Sequence, residues 1–208
     1  KRKNVKKFSF FLTMNKLEIF VCFLLIHLNN AFKYDFLLAN GPTYANSSNS
    51  HFFPYGDPKH GIEIKLLQVD PYTGLWVNIL RGPPGSILGT HRHYDQVYGF
   101  TMKGAWGYFE HPEWLSKQGD LVHETPGSVH TLFIDKNHGD AEVLFFVWGS
   151  LEFLDENGKT IFIEDWKSVL QKYTNYCEEN NLPIVDITYP KQKVPDVDFR
   201  HENKRNEL

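Results

Sequence analysis

Short strand-like segments follow one another from residue 61 to residue 163, and this succession restricts the fold more than any other feature of the chain. Glycines such as Gly104 and Gly119 separate the segments, and Asn157-Gly158 between two apolar runs is a strong hairpin signal. The predicted strands are 62–66, 75–80, 87–93, 97–103, 105–110, 120–124, 129–134, 141–148, 151–154 and 160–163. So many short strands without intervening helices predict an antiparallel sandwich or small barrel.

One helix is predicted directly after the last strand. Glu164 or Asp165 can cap its N-terminus. Trp166, Val169 and Tyr173 recur at spacings of three and four, which is typical of the apolar stripe of an amphipathic helix. This stripe predicts a helix that packs on the outside of the barrel, so the predicted fold class is all-β with one C-terminal α-helix.

The 208 residues are enough for one globular domain with appendages. Residues 59–182 contain the predicted strands and the helix. The Asn-rich and Ser-rich stretch and the Phe-Pro-Tyr-Gly turn within residues 32–58 predict a loosely attached N-terminal arm. Residues 183–208 are charged and rich in proline, which predicts an extended tail.

A secretory signal is predicted within residues 1–31. Its apolar run, Ile19–Leu28, is too short to span a bilayer and has the length of a signal's hydrophobic part, with cleavage near Ala31. A buried N-terminal strand or helix is the alternative. Asn46 begins a glycosylation sequon, and Arg205–Leu208 resembles a Lys-Asp-Glu-Leu retrieval signal. We therefore expect a protein of the endoplasmic reticulum lumen, or a secreted one, without a stable membrane span.

The charge balance argues against a nucleic-acid partner. The formal net charge is −3. Residues 1–31 hold six of the 22 basic residues and one of the 25 acidic residues, so the rest of the chain has 16 basic residues against 24 acidic ones. Phosphate binding requires a basic surface, and this composition does not provide one.

Three histidines are spaced to suit one metal ion. His91 and His93 are two residues apart, so on an extended strand both side chains leave the same face. His130 follows a Pro-Gly turn and can approach from a neighbouring strand. Three neutral imidazoles on one side of an ion leave open positions opposite, as a catalytic first-row metal site requires.

The sequence around these histidines resembles a known group of enzymes. The matching stretches are V-Y-G-F-T-M-K-G-A-W-G-Y-F-E-H from Val97, G-D-L-V-H-E-T-P-G-S-V-H-T-L from Gly119, the Trp114-Leu115 pair and a terminal helix with Tyr173. Over roughly residues 60–182 the chain is similar to the 2,4'-dihydroxyacetophenone dioxygenases, small cupins close to the acetylacetone-cleaving dioxygenases. The resemblance implies a cupin barrel, or double-stranded β-helix, with one Fe²⁺ per chain that cleaves a carbon–carbon bond with O2.

The resemblance also implies roles for particular residues. By motif position, His91, His93 and His130 match the family's metal-binding histidines. Glu110 matches an acid of the family's Tyr-x-Glu-His segment and is carried over as a fourth ligand or as a catalytic group beside the ligands. On a strand, Glu110 would share the parity of Tyr108, so we expect its side chain to face inward.

Two positions depart from the family pattern. The first cupin motif usually has Glu four or five residues after its second histidine, where this chain has Val97 and Tyr98. The second motif often has Asn four residues after its histidine, where this chain has Ile134. Loss of the usual Glu favours a centre of three histidines.

Five aromatic residues are candidate walls of a substrate pocket, and ordinary barrel filling is the alternative role for each. They are Phe100, Trp106, Tyr108, Phe133 and Phe145. The expected partners are O2 and a small carbonyl substrate, either a hydroxyketone or a β-dicarbonyl. A homo-oligomeric state is also compatible with the sequence. Two other classes also stay open: a non-catalytic lumenal cupin with a binding or structural role, and another metal-cupin activity such as isomerisation or thiol oxidation.

Overall fold

The computed structural model describes residues 50–189. The predicted signal segment, the Asn46 sequon and the Arg205–Leu208 ending lie outside the described residues, so secretion, glycosylation and retrieval stay predictions. Within residues 50–189, no helix is both long enough and apolar enough to cross a membrane.

The described strands form two six-stranded sheets that pack against each other. The strands are β1 (Phe53–Pro54), β2 (Glu63–Val69), β3 (Trp76–Gly82), β4 (Ile87–His93), β5 (Val97–Lys103), β6 (Ala105–Tyr108), β7 (Ser116–Lys117), β8 (Leu121–Glu124), β9 (Val129–Ile134), β10 (Ala141–Val147), β11 (Leu151–Leu154) and β12 (Thr160–Glu164). Sheet A has the order β1-β2-β3-β10-β5-β8, and sheet B has the order β12-β11-β4-β9-β6-β7. The predicted all-β architecture is confirmed, and a 3-10 helix, Pro58–His60, precedes β2.

Period-two burial places the core between the sheets. In β10 every second residue is buried, from Ala141 to Val147, while the residues between them are only partly buried. Strand β6 is shorter than the predicted 105–110. It ends at Tyr108 because the chain turns there, and the His111 N–H donates to the Tyr108 carbonyl oxygen at 3.0 Å.

The predicted helix is present as α1 (Trp166–Glu179). Asp165 is its N-cap, and its side chain accepts hydrogen bonds from the backbone N–H groups of Lys167 and Ser168. The Ser168 hydroxyl accepts in return from the Asp165 N–H at 2.8 Å, which completes a capping box. The apolar stripe buries Val169, Tyr173 and Cys177 against the barrel.

The barrel extends beyond the boundaries that the sequence predicted. Phe53 and Tyr55 of the predicted arm are buried, and β1 pairs with β2. At the other end, Val69 donates its N–H to Ile187 and accepts from the Tyr189 N–H, and Ile187 is buried. These short segments bury isolated apolar residues without a periodic pattern, so sequence periodicity did not reveal them.

Gly104 is required where β5 meets β6. It has a φ of +71°, and a Cβ there would collide with the Asp140 carbonyl and lie 2.8 Å from Ala141 Cα. We expect Gly104→Ala to lower the free energy of unfolding by roughly 3 kcal/mol, from backbone strain plus overpacking. Gly158→Ala is the matched control, because Gly158 has a φ of +76° and a Cβ there would meet nothing within 4 Å. Gly158→Ala should lower the free energy of unfolding by only about 1 kcal/mol. Urea denaturation measures both variants, and equal losses would contradict the close approach of Asp140 and Ala141 to Gly104.

Candidate metal centre

The pairing of β4 with β9 brings the three predicted ligands together. His91 lies directly opposite His130 in this antiparallel pair, and His93 lies two residues further along β4. A β-bulge adds one residue to β4 between Leu88 and His91, so both of these residues face the interior although they are three positions apart. All three imidazoles are buried, and their ligand atoms lie within 4.8 Å of one another.

Local hydrogen bonds hold the rings in place. The Nδ1 atom of His91 lies 2.9 Å from the Gly89 carbonyl oxygen, which can only accept, so Nδ1 carries the proton and Nε2 keeps its lone pair. The turn Thr125–Ser128 makes two backbone hydrogen bonds with His93. The His93 N–H donates to the Ser128 carbonyl oxygen at 3.0 Å, and the His93 carbonyl oxygen accepts from the Gly127 N–H at 2.7 Å. This turn leads directly into β9.

His91 is suited to bind a cation as a neutral ligand. Burial, and in smaller part the neighbouring His93 and His130, lower the pKa of His91 to about 3. His91 is therefore neutral at physiological pH, the form that binds metal. The Nε2 atoms of His93 and His130 lie 2.9 Å apart, so they point at a common position.

Glu124 adds a buried carboxylate from the opposite sheet. Its Oε2 lies 2.9 Å from His93 Nε2 and 3.3 Å from His130 Nε2, and its Oε1 accepts a 2.6 Å hydrogen bond from the Tyr108 hydroxyl. Burial alone raises the pKa of Glu124, but the side chains of His130 and His93 outweigh burial and hold this pKa well below its usual range. The carboxylate is therefore ionised.

These donors fit a divalent metal ion. Glu124 Oε2 is buried, and within residues 50–189 no group donates a well-aligned hydrogen bond to it. A buried, ionised oxygen requires compensation by positive charge. His91, His93 and His130 would hold the ion, with Glu124 beside it, and imidazole with carboxylate is a donor set suited to iron and other first-row metals.

Glu110 is not part of this cluster, which corrects the expectation from the sequence. Its side chain is exposed, and its two carboxylate oxygens accept from the Thr131 N–H at 2.8 Å and the Thr131 hydroxyl at 2.9 Å. The alternation of side chains along β6 does not extend to Glu110, because β6 ends at Tyr108. In β9, His130 faces inward and the next residue, Thr131, faces outward. Glu110 binds Thr131 and therefore lies on the outer side of β9.

The structure separates the five candidate wall residues into three groups. Tyr108 and Phe145 line the central cavity. Trp106 is fully buried behind them, packed edge-on against both rings, and its indole N–H donates to a threonine hydroxyl at 2.8 Å. Phe100 and Phe133 face outward, so the prediction is wrong for these two: Phe100 is 41% exposed, and Phe133 stacks on another ring outside the barrel.

The centre adjoins a cavity of about 30 Å³, which is room for about two water molecules. Its lining is Tyr55, Ile64, Trp76, Asn78, Leu80, Leu88, His91, His93, Val97, Tyr108, Glu124, Leu132, Phe145, Val147 and Leu151. Most of these side chains are apolar, and neither lysine nor arginine is among them. The cavity is thus suited to a small ligand with few polar groups.

Glu124 is the site residue that sequence reasoning missed. It stands directly before the turn that carries His130, and it is the only buried residue of β8. In sheet A, Glu124 pairs with Val97 of β5. Val97 is one of the two residues that stand where the first cupin motif usually has its Glu. The pairing of β5 with β8 is a long-range contact, so no local pattern marked Glu124 in the sequence.

Two facing antiparallel sheets with a histidine cluster between them define a cupin. This chain belongs to the ChrR cupin-like domain family, whose model matches residues 40–152. No curated protein matches the chain by sequence.

Solved structures agree with the cupin fold. An RmlC-like cupin protein from Ralstonia eutropha JMP134 is 26% identical, with a TM-score of 0.65, over 71% of this chain and 94% of that one. The acetylacetone dioxygenase from Acinetobacter johnsonii is 24% identical, with a TM-score of 0.55, over 66% of this chain and 93% of that one. The cupin part of the predicted resemblance is confirmed, and the closer resemblance to dihydroxyacetophenone dioxygenases stays a prediction.

Replacing His130 by Ala should remove most of the bound metal. The purified full chain is expected to bind about one metal ion, because one cluster of three histidines is present in the described residues. The loss should exceed the roughly 10–100-fold weakening that follows from removing a group outside the ligand set. Elemental analysis by mass spectrometry measures it, with His138→Ala as control because His138 is exposed and paired with Asp135. Equal metal content in the unmodified chain, His130→Ala and His138→Ala would show that His130 does not bind the metal.

Proposed function

We propose that this chain is a non-haem iron dioxygenase that cleaves a carbon–carbon bond of a small β-dicarbonyl compound with O2. The observation that carries the proposal is the buried cluster of three histidines and one carboxylate at the wall of a small, largely apolar cavity. The shared fold with the acetylacetone dioxygenase from Acinetobacter johnsonii supports the same reaction class.

The cavity favours a β-dicarbonyl over an aromatic hydroxyketone. An aryl ring would require the side chains around a cavity of about 30 Å³ to move, whereas a short dicarbonyl requires less rearrangement. The lining contains neither lysine nor arginine, so nothing but the metal would neutralise a phosphate or a carboxylate. The lining therefore argues against substrates that carry a phosphate or a carboxylate, such as sugar phosphates and amino-acid thiols.

The protein's own residues have separate tasks in this reaction. When bound, Fe²⁺ would supply Lewis-acid stabilisation of an enolate and the electrons that activate O2. Glu124 offers Oε2 as a buried acceptor for the acidic proton of the substrate, while the Tyr108 hydroxyl holds Oε1 and so orients the carboxylate. Leu132, Val147 and the other apolar walls exclude water from the reacting carbons.

A non-catalytic role explains the same centre less well. A purely structural metal site is normally closed by four protein ligands. Here three histidines form the ligand set, and the site adjoins a cavity. Both features are typical of a site that receives a ligand.

The activity is tested with an oxygen electrode and the Fe²⁺-loaded full chain. We expect one molecule of O2 to be consumed for each molecule of acetylacetone. When the gas is ¹⁸O2, each of the two carbonyl products should contain one ¹⁸O atom. A hydroxyacetophenone should be consumed more slowly, because of the cavity size. Absence of O2 consumption with every dicarbonyl tested, in protein with full iron content, would reject the proposal.

Exchanging the two carboxylates one at a time decides which of them acts. Glu124→Gln keeps the side-chain shape and should lower kcat by about 100-fold or more while most of the iron is retained, because a positioned acid–base group contributes about that much. Glu110→Gln should keep both iron and turnover, because Glu110 contacts Thr131 on the outside of the barrel. Iron content and initial rates are measured on the same samples. Full activity in the first variant with lost activity in the second would return the role to Glu110.

A further inference from the structure

Asn78 is a polar residue in an apolar part of the cavity wall. It lies in the middle of β3 in sheet A, opposite Leu66 on one side and Phe145 on the other. Only 3% of its surface is exposed, and it lines the cavity together with the metal-site histidines. The histidines come from sheet B, so Asn78 approaches the cavity from the opposite sheet.

Asn78 lines the cavity, and no hydrogen bond joins its side-chain amide to another residue of the described chain, 50–189. Some polar groups at the centre have partners within the protein: His91 Nδ1 donates to the Gly89 carbonyl, and the Tyr108 hydroxyl donates to Glu124 Oε1. Buried amides are nearly always hydrogen-bonded, because an unpaired one has lost its water without replacement. An amide that faces a cavity without a protein partner can bind a molecule inside that cavity, either water or a ligand that replaces it.

Trp76 has the same property two residues earlier on the same face of β3. It also lines the cavity, and its indole N–H is buried without an acceptor in the described residues. Indole N–H groups usually find a partner when they are buried. This face of β3 therefore offers N–H donors, whereas Glu124 on β8 offers an acceptor.

We infer that Asn78 is a substrate-orienting residue that donates its amide N–H to a carbonyl or enolate oxygen of a small ligand. The ligand class is a short dicarbonyl or related carbonyl compound, since the remaining lining is mostly apolar and lacks lysine and arginine. A carbonyl oxygen has two lone pairs, so it can accept from Asn78 and still bind elsewhere. That this ligand is a substrate rests on the proposed function. That Asn78 binds the ligand does not depend on the proposed function.

The test measures binding rather than turnover. The full chain is loaded with Zn²⁺, which has no redox chemistry, and titrated with acetylacetone by calorimetry. Asn78→Leu removes the amide in similar volume, and Asn78→Asp keeps the shape but removes the N–H donors. We expect both variants to keep their metal and to bind acetylacetone at least about tenfold more weakly than the unmodified chain. Asn78→Leu should also melt at the same or a higher temperature, because an unpaired buried amide has been removed.

Ser86→Ala is the matched control. Ser86 is buried, and its hydroxyl also lacks a partner in the described residues, but it does not line the cavity. This variant should bind acetylacetone as tightly as the unmodified chain. A similar loss of affinity in Ser86→Ala would attribute the effect of the Asn78 variants to general disturbance of the core and overturn the inference.

The outcomes separate this inference from the proposed reaction. If the unmodified chain binds acetylacetone through Asn78 but consumes no O2 in the iron form, the dioxygenase proposal fails and the inference stands. If it consumes O2 but either folded, metal-loaded Asn78 variant binds acetylacetone with unchanged affinity, the inference fails and the dioxygenase proposal stands. Absence of acetylacetone binding to the unmodified chain overturns the inferred ligand class.

Discussion

The register of β4 on β9 is the constraint on which the rest of the site depends. With His91 opposite His130, the three imidazoles share one face of sheet B. Side chains alternate with a period of two, so a slip of one residue would turn the histidines of one strand to the outside. The bulge before His91 and the two backbone hydrogen bonds between His93 and the turn at Gly127 and Ser128 hold this register.

The second constraint is the cost of placing charge and polar groups between two sheets. An ionised Glu124 in the core is tolerated because the Tyr108 hydroxyl binds one oxygen and the ligand histidines surround the other. Tyr108 also stacks on His130 with 3.6 Å between ring centroids, so one residue of sheet B connects the ligands with the carboxylate of sheet A. The site thereby becomes part of what joins the two sheets.

Much of the architecture could be predicted from local patterns. The limits of β4, β5, β9 and β11 agree with the sequence because alternation and glycine turns are local signals. Prediction failed where an outcome depended on the end of an element. Glu110 was assigned the parity of a strand that stops two residues earlier, and Phe53 and Ile187 joined the core without any periodic pattern around them.

The sequence by itself determined the fold class and the three histidines, because strand alternation and a His-x-His spacing act over a few residues. Only the tertiary structure decided that Glu124, not Glu110, accompanies them, and that Asn78 faces the same cavity. These residues come from β8 and β3 of sheet A, whereas the histidines come from sheet B. Their approach depends on how two sheets pack across the core, a long-range arrangement that the spacing of neighbouring residues does not encode.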